Sequence, residues 1–186
     1  MPLTLEFIRD EHRNIARILK ALENLARDDA ALKKSVNSDL FASMLYYLRV
    51  FPYAVHHPKE ERHLFPLAAK RDAGARAAVA ALHKEHAEGY AQLQQIEIAA
   101  AAAGEPDGLA RLKAAILDYV GHEFRHMERE EKEILPVVER ALDAETLAAM
   151  RRTFASHADP AFSENIQAGF DALYRHIKAK IETRGF

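Results

Sequence analysis

Cysteine is absent from the 186 residues. Disulfides, thiolate metal sites, cysteine-ligated iron–sulfur clusters and cysteine nucleophiles are therefore excluded. Glycine and proline are scarce, seven of each, and fall mostly near breaks in the pattern. No stretch reaches the roughly 18 consecutive apolar residues that span a bilayer. Residues 1–10 carry acids and no long apolar run, so a secretory signal is not expected and a cytoplasmic location is. Neither sign of charge dominates: 26 basic against 28 acidic side chains leave a net charge of −2. That balance gives no general attraction to nucleic acid or to an anionic membrane. No nucleophile–base pair, glycine-rich phosphate loop or basic stripe offers a chemistry of its own.

What remains is helix and histidine. Hydrophobic residues make up 49% of the chain, enough for one packed domain. Ala, Leu, Glu, Lys and Arg dominate, and no segment alternates as a strand would. The pattern predicts helices from Thr4, a plausible cap, to Arg27, and from Asn37 to Arg71, the latter bent or interrupted near Pro52 and Pro58. After a turn at Asp72-Ala-Gly a third helix reaches Ala103, and a loop ending in a capping Asp107 leads to a fourth, ending near Leu142. Asp143 can cap a further helix, broken at Asp159-Pro160, before an amphipathic run of Phe162, Ile166, Phe170, Leu173 and Ile177. The fold class expected is all-α: an up-down-up-down four-helix bundle over residues 1–142, with a C-terminal helical extension, 143–186, packed on the same domain.

An internal repeat carries most of the information. His56-His-Pro-Lys-Glu60-Glu-Arg-His-Leu-Phe-Pro66 resembles His126-Met-Glu-Arg-Glu130-Glu-Lys-Glu-Ile-Leu-Pro136 at an offset of 70. Upstream, Asp10-Glu-His12 resembles Lys84-Glu-His86. Each half thus reads as a helix with one histidine followed by a helix with His-x-x-x-Glu. Residues four apart share a helix face, about 6 Å apart along the axis, so an imidazole and a carboxylate so placed can converge on one ion. His12 lies on the seam Ile8, His12, Ile15, Leu19; His86 lies on Val79, Leu82, His86 and then Tyr90 or Leu93. A lone histidine on such a seam is usually a hydrogen-bonded core residue. Four histidines and two glutamates in the same order twice are hard to explain that way, and a metal would offset the cost of burying them.

Two registers satisfy the spacing in the first half, His56/Glu60 and His57/Glu61. Met127, a poor ligand for a hard or borderline ion, is the counterpart of His57, and aligning Pro66 with Pro136 favours His56/Glu60. His122, one turn before His126, is a candidate extra ligand or a donor behind the ligands. Tyr46, Tyr47, Tyr53 and Tyr119 read as core or near-site residues, and Glu61, Glu128, Glu131 and Glu133 as a solvated face. His157 and His176 read as surface or capping residues.

On these motifs, from His12 to Pro136, the chain resembles the hemerythrin-like, HHE cation-binding family. The resemblance implies a four-helix bundle with a non-haem di-iron centre, an oxo- or hydroxo-bridged pair of iron ions, held by His12, His56, Glu60, His86, His126 and Glu130. It also implies dioxygen, or nitric oxide, as the small ligand. Manganese and zinc suit the same donors. The chain departs from the oxygen carriers of that family in having Leu82 where they place a fifth histidine, and Glu130 four residues after its histidine where they place an Asp five after. It also lacks the cysteine-containing segment of the cluster-repair members. Two histidines per ion and one oxygen from each bridging carboxylate give four protein ligands per ion and leave both ions open to an outside ligand, which suits sensing or reaction better than carriage.

Two alternatives stand beside this reading. One is a metal-dependent regulatory bundle whose extension meets a protein partner or a second copy of the chain. The other is a ferritin-like di-metal oxidase, using Glu60-x-x-His63 and Glu123-x-x-His126. The sequence leaves turnover open, and the reading leans toward a metal- and oxygen-binding protein over an enzyme.

Overall fold

The computed structural model of the chain describes residues 5–155 and 164–184. The expected Thr4 cap, His157, the Asp159-Pro160 break and Phe162 lie outside the described residues, as does the Ile166 side chain. Every regular element among the described residues is helical, so the all-α fold expected from the sequence is what is found.

Helix α1, Glu6–Arg27, buries one face through Ile8, Ile15, Ile18, Leu19, Leu22 and Leu25. A short α2, Asp29–Ser35, was not expected; Asp28 caps it, its Oδ1 accepting from the Ala30 and Ala31 amides at 2.9 and 3.0 Å. Ser38, not Asn37, precedes α3, Asp39–Phe51, and its hydroxyl accepts from the Phe41 amide.

The helix expected to be bent or interrupted near Pro52 and Pro58 is continuous there but departs from α-helical geometry. The helix runs on from α3 through a π-turn, Pro52–His56, then α4, His57–Lys59, a second π-turn, Glu60–Leu64, and α5, Phe65–Arg71. The second rod repeats the latter part of this pattern, with one π-turn instead of two: α7, Gly108–Arg129, a π-turn at Glu130–Ile134, and α8, Leu135–Ala141. Proline explains where the turns widen. Pro66 and Pro136 have no N–H to close an α-helical bond and their rings crowd the preceding turn. The amide just before each, on Phe65 and Leu135, bonds five residues back to the carbonyl of Glu60 and Glu130.

The widening has a directional effect. In an α-helix, four-residue steps drift by about 40° each, so such a series would spiral away from the core. Here His56, Glu60, Leu64 and Ala68 all stay buried, and so do His126, Glu130, Ile134 and Val138 seventy residues later.

Between the rods lies α6, Ala73–Ala101, which starts immediately after Asp72, whose Oδ1 accepts from the Gly74 and Ala75 amides. Asp107, expected to cap α7, instead takes a left-handed conformation with φ 57° and makes no side-chain cap bond. Asp143 does cap α9, Ala144–Ala155, accepting from the Thr146 amide at 2.6 Å.

Two apolar clusters fill the bundle. The larger contains Ile15, Leu19, Phe41, Tyr47, Phe51, Leu93, Leu112 and Ile116; the other contains Leu5, Ile8, Leu64, Phe65, Leu82, Ile134 and Val138. Along each long helix the passage from one cluster to the other crosses a single polar layer: His12 between Ile8 and Ile15, His86 between Leu82 and Leu93, and the two His-x-x-x-Glu turns in the rods. Leu147 and Met150 of α9 join the smaller cluster. Helix α10, Glu164–Arg184, lies against α1 and α3, burying Tyr174 and Ile177, with Tyr174 accepting from Arg17 at 2.8 Å. The described part of the amphipathic run, Phe170, Leu173 and Ile177, packs against the larger cluster. Tyr46 is 53% exposed and is not a core residue, and the α6 seam passes through Leu93 rather than the exposed Tyr90. No described helix is long and apolar enough to cross a membrane.

Candidate metal centre

The polar layer brings His12, His56, Glu60, His86, His126 and Glu130 together. Glu60 and Glu130 are each 1% exposed, and the four rings are buried around them. The Nε2 atom of every one of the four histidines, and both oxygens of both carboxylates, have no hydrogen-bond partner. They face one another: Glu60 Oε1 lies 3.3 Å from His56 Nε2 and 3.7 Å from His12 Nε2, while Glu130 Oε1 lies 3.3 Å from His126 Nε2 and 3.8 Å from His86 Nε2. Each carboxylate also reaches across, Glu60 Oε2 to His86 at 3.6 Å and Glu130 Oε2 to His12 at 3.3 Å. Unpaired buried carboxylates cost several kcal/mol each, and lone imidazole nitrogens add to that. A cation on these atoms would satisfy all of them, and oxygen with imidazole nitrogen is a donor set that suits iron, manganese or zinc.

The outer nitrogens are satisfied, each by its own carboxylate. His12 Nδ1 is 2.9 Å from Glu131, His56 Nδ1 3.0 Å from Glu11, His86 Nδ1 2.8 Å from Glu61, and His126 Nδ1 3.1 Å from Glu85. A carboxylate only accepts, so Nδ1 carries the proton and Nε2 faces the centre as the ligating nitrogen. Two of the four carboxylates are themselves gripped by a cation: Lys59 holds Glu11 and Arg129 holds Glu85. The arrangement follows the sequence repeat, Glu11 with Glu85 and the Lys59-Glu60-Glu61 run with Arg129-Glu130-Glu131. Glu61 and Glu131 are therefore not merely a solvated face; each is 43% exposed yet hydrogen-bonded to a site histidine.

Electrostatics bear out this pairing. Burial and the charge of Glu60 both oppose ionisation of Glu130, but His126, His12 and His86 outweigh them and hold it down at about 2. Glu60 is likewise held well below its ordinary value, burial being outweighed by His56, His12 and His86. Burial would lower His86, but Glu130 and Glu60 raise it to about 10. His12 is raised well above its ordinary value, burial again being overridden, by Glu130, Glu131 and Glu60. Without a metal, protons on these rings compensate the two carboxylates; ions entering the site would displace them.

A fifth ring enters the layer. His57 is buried, its Nδ1 has no hydrogen-bond partner, and one of its nitrogens lies with donor atoms of Glu60, His86 and His126 inside a 4.8 Å set. A matching set joins His12, His56, Glu60 and Glu130. Burial, then the charges of His86, His56 and His126, depress His57 well below its usual value, leaving it neutral. The two registers weighed from sequence are thus not exclusive: His56 and His57 both point inward, Glu60 lies between the sets, and Glu61 lies behind His86. Leu82 is fully buried in the smaller apolar cluster.

His122 Nε2 donates to the Glu85 carbonyl oxygen, 3.0 Å away, joining α7 to α6. Glu123 is buried beside Tyr53 and Gly89, and burial pushes it up to about 8. Neither Glu123 nor His63 joins a metal-sized set among the described residues, so the two Glu-x-x-His pairs of the ferritin-like alternative do not converge. His176 is exposed on α10.

No curated protein and no solved structure matches the chain. The family model of the Hemerythrin HHE cation binding domain matches residues 3–138, which takes in α1 through most of α8 and every residue of the polar layer. The chain is a metal-binding helical protein and belongs to the hemerythrin HHE cation-binding family.

Proposed function

We propose that the protein is a non-haem di-iron protein that binds dioxygen or a related small ligand such as nitric oxide, in sensing or reaction rather than bulk carriage. The observation that carries this reading is the converging set of unpartnered donors, four imidazole Nε2 atoms and four carboxylate oxygens, sealed between two apolar clusters. His12, His56, His86, His126, Glu60 and Glu130 would hold the metal in this reading. Iron in such a setting supplies binding and redox chemistry toward diatomic ligands. The chain's own residues do the rest. Glu131, Glu11, Glu61 and Glu85 fix the rings through Nδ1, and the apolar clusters exclude water. Residues 1–142 form the bundle that carries the site, and 143–186 an extension packed on it.

Anaerobic reconstitution with ferrous iron, followed by metal analysis, tests the reading. About two iron equivalents per chain are expected, lost on replacing His56 and His126 by alanine, together with a new visible absorbance when oxygen or nitric oxide is added. Retention of zinc or manganese with no iron uptake, or an unchanged spectrum with both gases, would sink it.

A second reading, a metal-dependent regulator, is favoured by one contact path. The His56 ring stacks on Phe51 at 6.5 Å, and Phe51 meets Phe170 of α10 edge-on at 5.4 Å. Loading the site then tightens α10. Equal hydrogen exchange of 164–184 with and without metal would remove this reading.

A further inference from the structure

The chain has neither tryptophan nor cysteine, so tyrosine is the side chain that most readily gives up a single electron. Two runs of rings lead from the polar layer to a tyrosine. In one, His56 stacks on Phe51 at 6.5 Å, Phe51 on Tyr47 at 5.1 Å, and Tyr47 tilts against Tyr174 at 6.1 Å. Phe51 interrupts that run with a ring that resists oxidation, and both of its tyrosines are buried. The other run has no such break. His86 lies flat on His57, centroids 3.7 Å apart and planes 9° apart. His57 meets Tyr53 edge-on at 4.8 Å, and Tyr53 meets Tyr90 edge-on at 5.0 Å, all within contact range for rings. Tyr53 precedes His57 by four residues and Tyr90 follows His86 by four, so two neighbouring helices each supply one imidazole and one phenol. Packing does not account for the outer end of this run. Tyr90 is 40% exposed and stands off the buried seam of α6, so its ring adds little to the core. Gly89, beside it, leaves the room that the Tyr53 hydroxyl occupies against α6, where a Cβ would crowd that hydroxyl at 3.3 Å.

We propose that Tyr53 and Tyr90 form a relay that carries single oxidising equivalents from the metal centre to the protein surface. The inference rests on the di-iron reading and adds to it a route by which the centre is protected from its own chemistry. The oxidant is the iron pair after hydrogen peroxide has taken two electrons from it and, with two protons, become two waters. One electron then leaves the Tyr90 ring, passes Tyr53, His57 and His86, and reduces the iron pair by one. The Tyr90 O–H bond breaks and its proton goes to solvent water, leaving a neutral phenoxyl radical at the surface. A small soluble one-electron reductant such as ascorbate returns the electron there, water returns the proton, and the phenol is restored. Without the two phenols the same equivalents fall on the nearest imidazoles, those of His57 and His86.

The test uses the iron-loaded full chain, its metal content measured first, mixed with hydrogen peroxide and frozen for electron paramagnetic resonance. Wild type is expected to show a tyrosyl radical that ascorbate quenches, with its histidines intact by mass spectrometry. Tyr53→Phe and Tyr90→Phe keep the ring packing and remove the phenol. Each is expected to lower the radical signal severalfold, to raise oxidised histidine at positions 57 and 86 severalfold, and to lose iron over repeated additions of peroxide. Tyr174→Phe, at the end of the interrupted run, is expected to change none of these. Equal signals and equal histidine oxidation in wild type and both relay variants overturn the inference, as does a signal lost in Tyr174→Phe instead. A wild-type centre whose spectrum responds to peroxide with no tyrosyl signal overturns it too, and so does an iron spectrum that peroxide leaves unchanged. Absence of iron is seen before peroxide is added, and fails the di-iron reading and the relay with it.

Discussion

Glu11 and His56 stand on different helices and share a buried 3.0 Å hydrogen bond, which Lys59 reinforces by gripping the other Glu11 oxygen. Glu85, His126 and Arg129 repeat the arrangement on the opposite side. Partners of this kind hold a ligating ring in one tautomer and one orientation. Glu11→Gln and Glu85→Gln should each weaken metal binding by roughly 10–100-fold, measured by competition with a chelator. Glu23→Gln, whose carboxylate pairs with Lys20 and Arg27 away from the centre, should leave it unchanged.

Metal removal should make stability depend on pH in the alkaline direction. His86 is raised from 6.5 to about 10 by Glu130 and Glu60 once burial is overcome. The folded, metal-free chain therefore holds this proton where the unfolded chain has lost it. The stabilisation is complete below about 6.5 and disappears as pH rises toward about 10. Bound ions need the ring deprotonated and gain affinity over the same range. The gap in Tm between metal-loaded and metal-free protein should widen from pH 6.5 to 9; a constant gap would contradict the assignment.

Glu123 gives a second pH dependence, separable by mutation. Burial raises its carboxyl to about 8, so the neutral acid is the form the fold accepts. Its contribution is present below the ordinary carboxylate value of 4.5 and is lost as pH climbs through about 8. Glu123→Gln, neutral throughout, should be less sensitive to pH between 5 and 8 in metal-free thermal melts than the parent.

Gly89 faces that same carboxyl across the α6–α7 contact. A Cβ there would collide with Glu123 Oε1 and crowd the Tyr53 hydroxyl at 3.3 Å. In an exposed helix, Gly→Ala would stabilise by up to about 1 kcal/mol. Overpacking a buried layer costs about 1–3 kcal/mol, so the collision wins and Gly89→Ala should lower stability in denaturant titrations.

Helix α10 is structurally part of the bundle. Ile177 is fully buried in the larger apolar cluster, beside Tyr174. Ile177→Ala should cost about 2–5 kcal/mol if the extension is continuously packed. A chemical-denaturation midpoint close to the parent's would show instead that the helix spends much of its time undocked.

Much of this was readable before the fold was known. The four long helices follow from apolar spacing, and Pro66 against Pro136 aligned the two halves because each proline follows its glutamate by six residues. Helix α2 escaped notice because seven residues held by one Asp28 cap leave little periodicity to see. His57 was weighed only as a rival to His56, since a strictly α-helical count lets one of two neighbours face the axis. The π-turn ending at His56 relaxes that count, and no residue pattern announces a π-turn except a proline seen in hindsight. Glu61 and Glu131 were read as solvated because they are charged and outward-leaning; only distance shows that each is tied to a ring. Glu11 and Glu85 did leave a trace, for both immediately precede a site histidine, and Lys59 and Arg129 both immediately precede a central glutamate.

The pseudo-twofold placement of the π-turns at Glu60–Leu64 and Glu130–Ile134 bears on the ancestry of the chain. One helical hairpin, meeting a copy of itself, would already close a cage of four imidazoles and two carboxylates with every ring braced from behind. Fusing two copies into one polypeptide would free each to diverge, and the buried pairs His57 with Met127, Phe65 with Leu135 and Ala68 with Val138 are interior places where the halves differ.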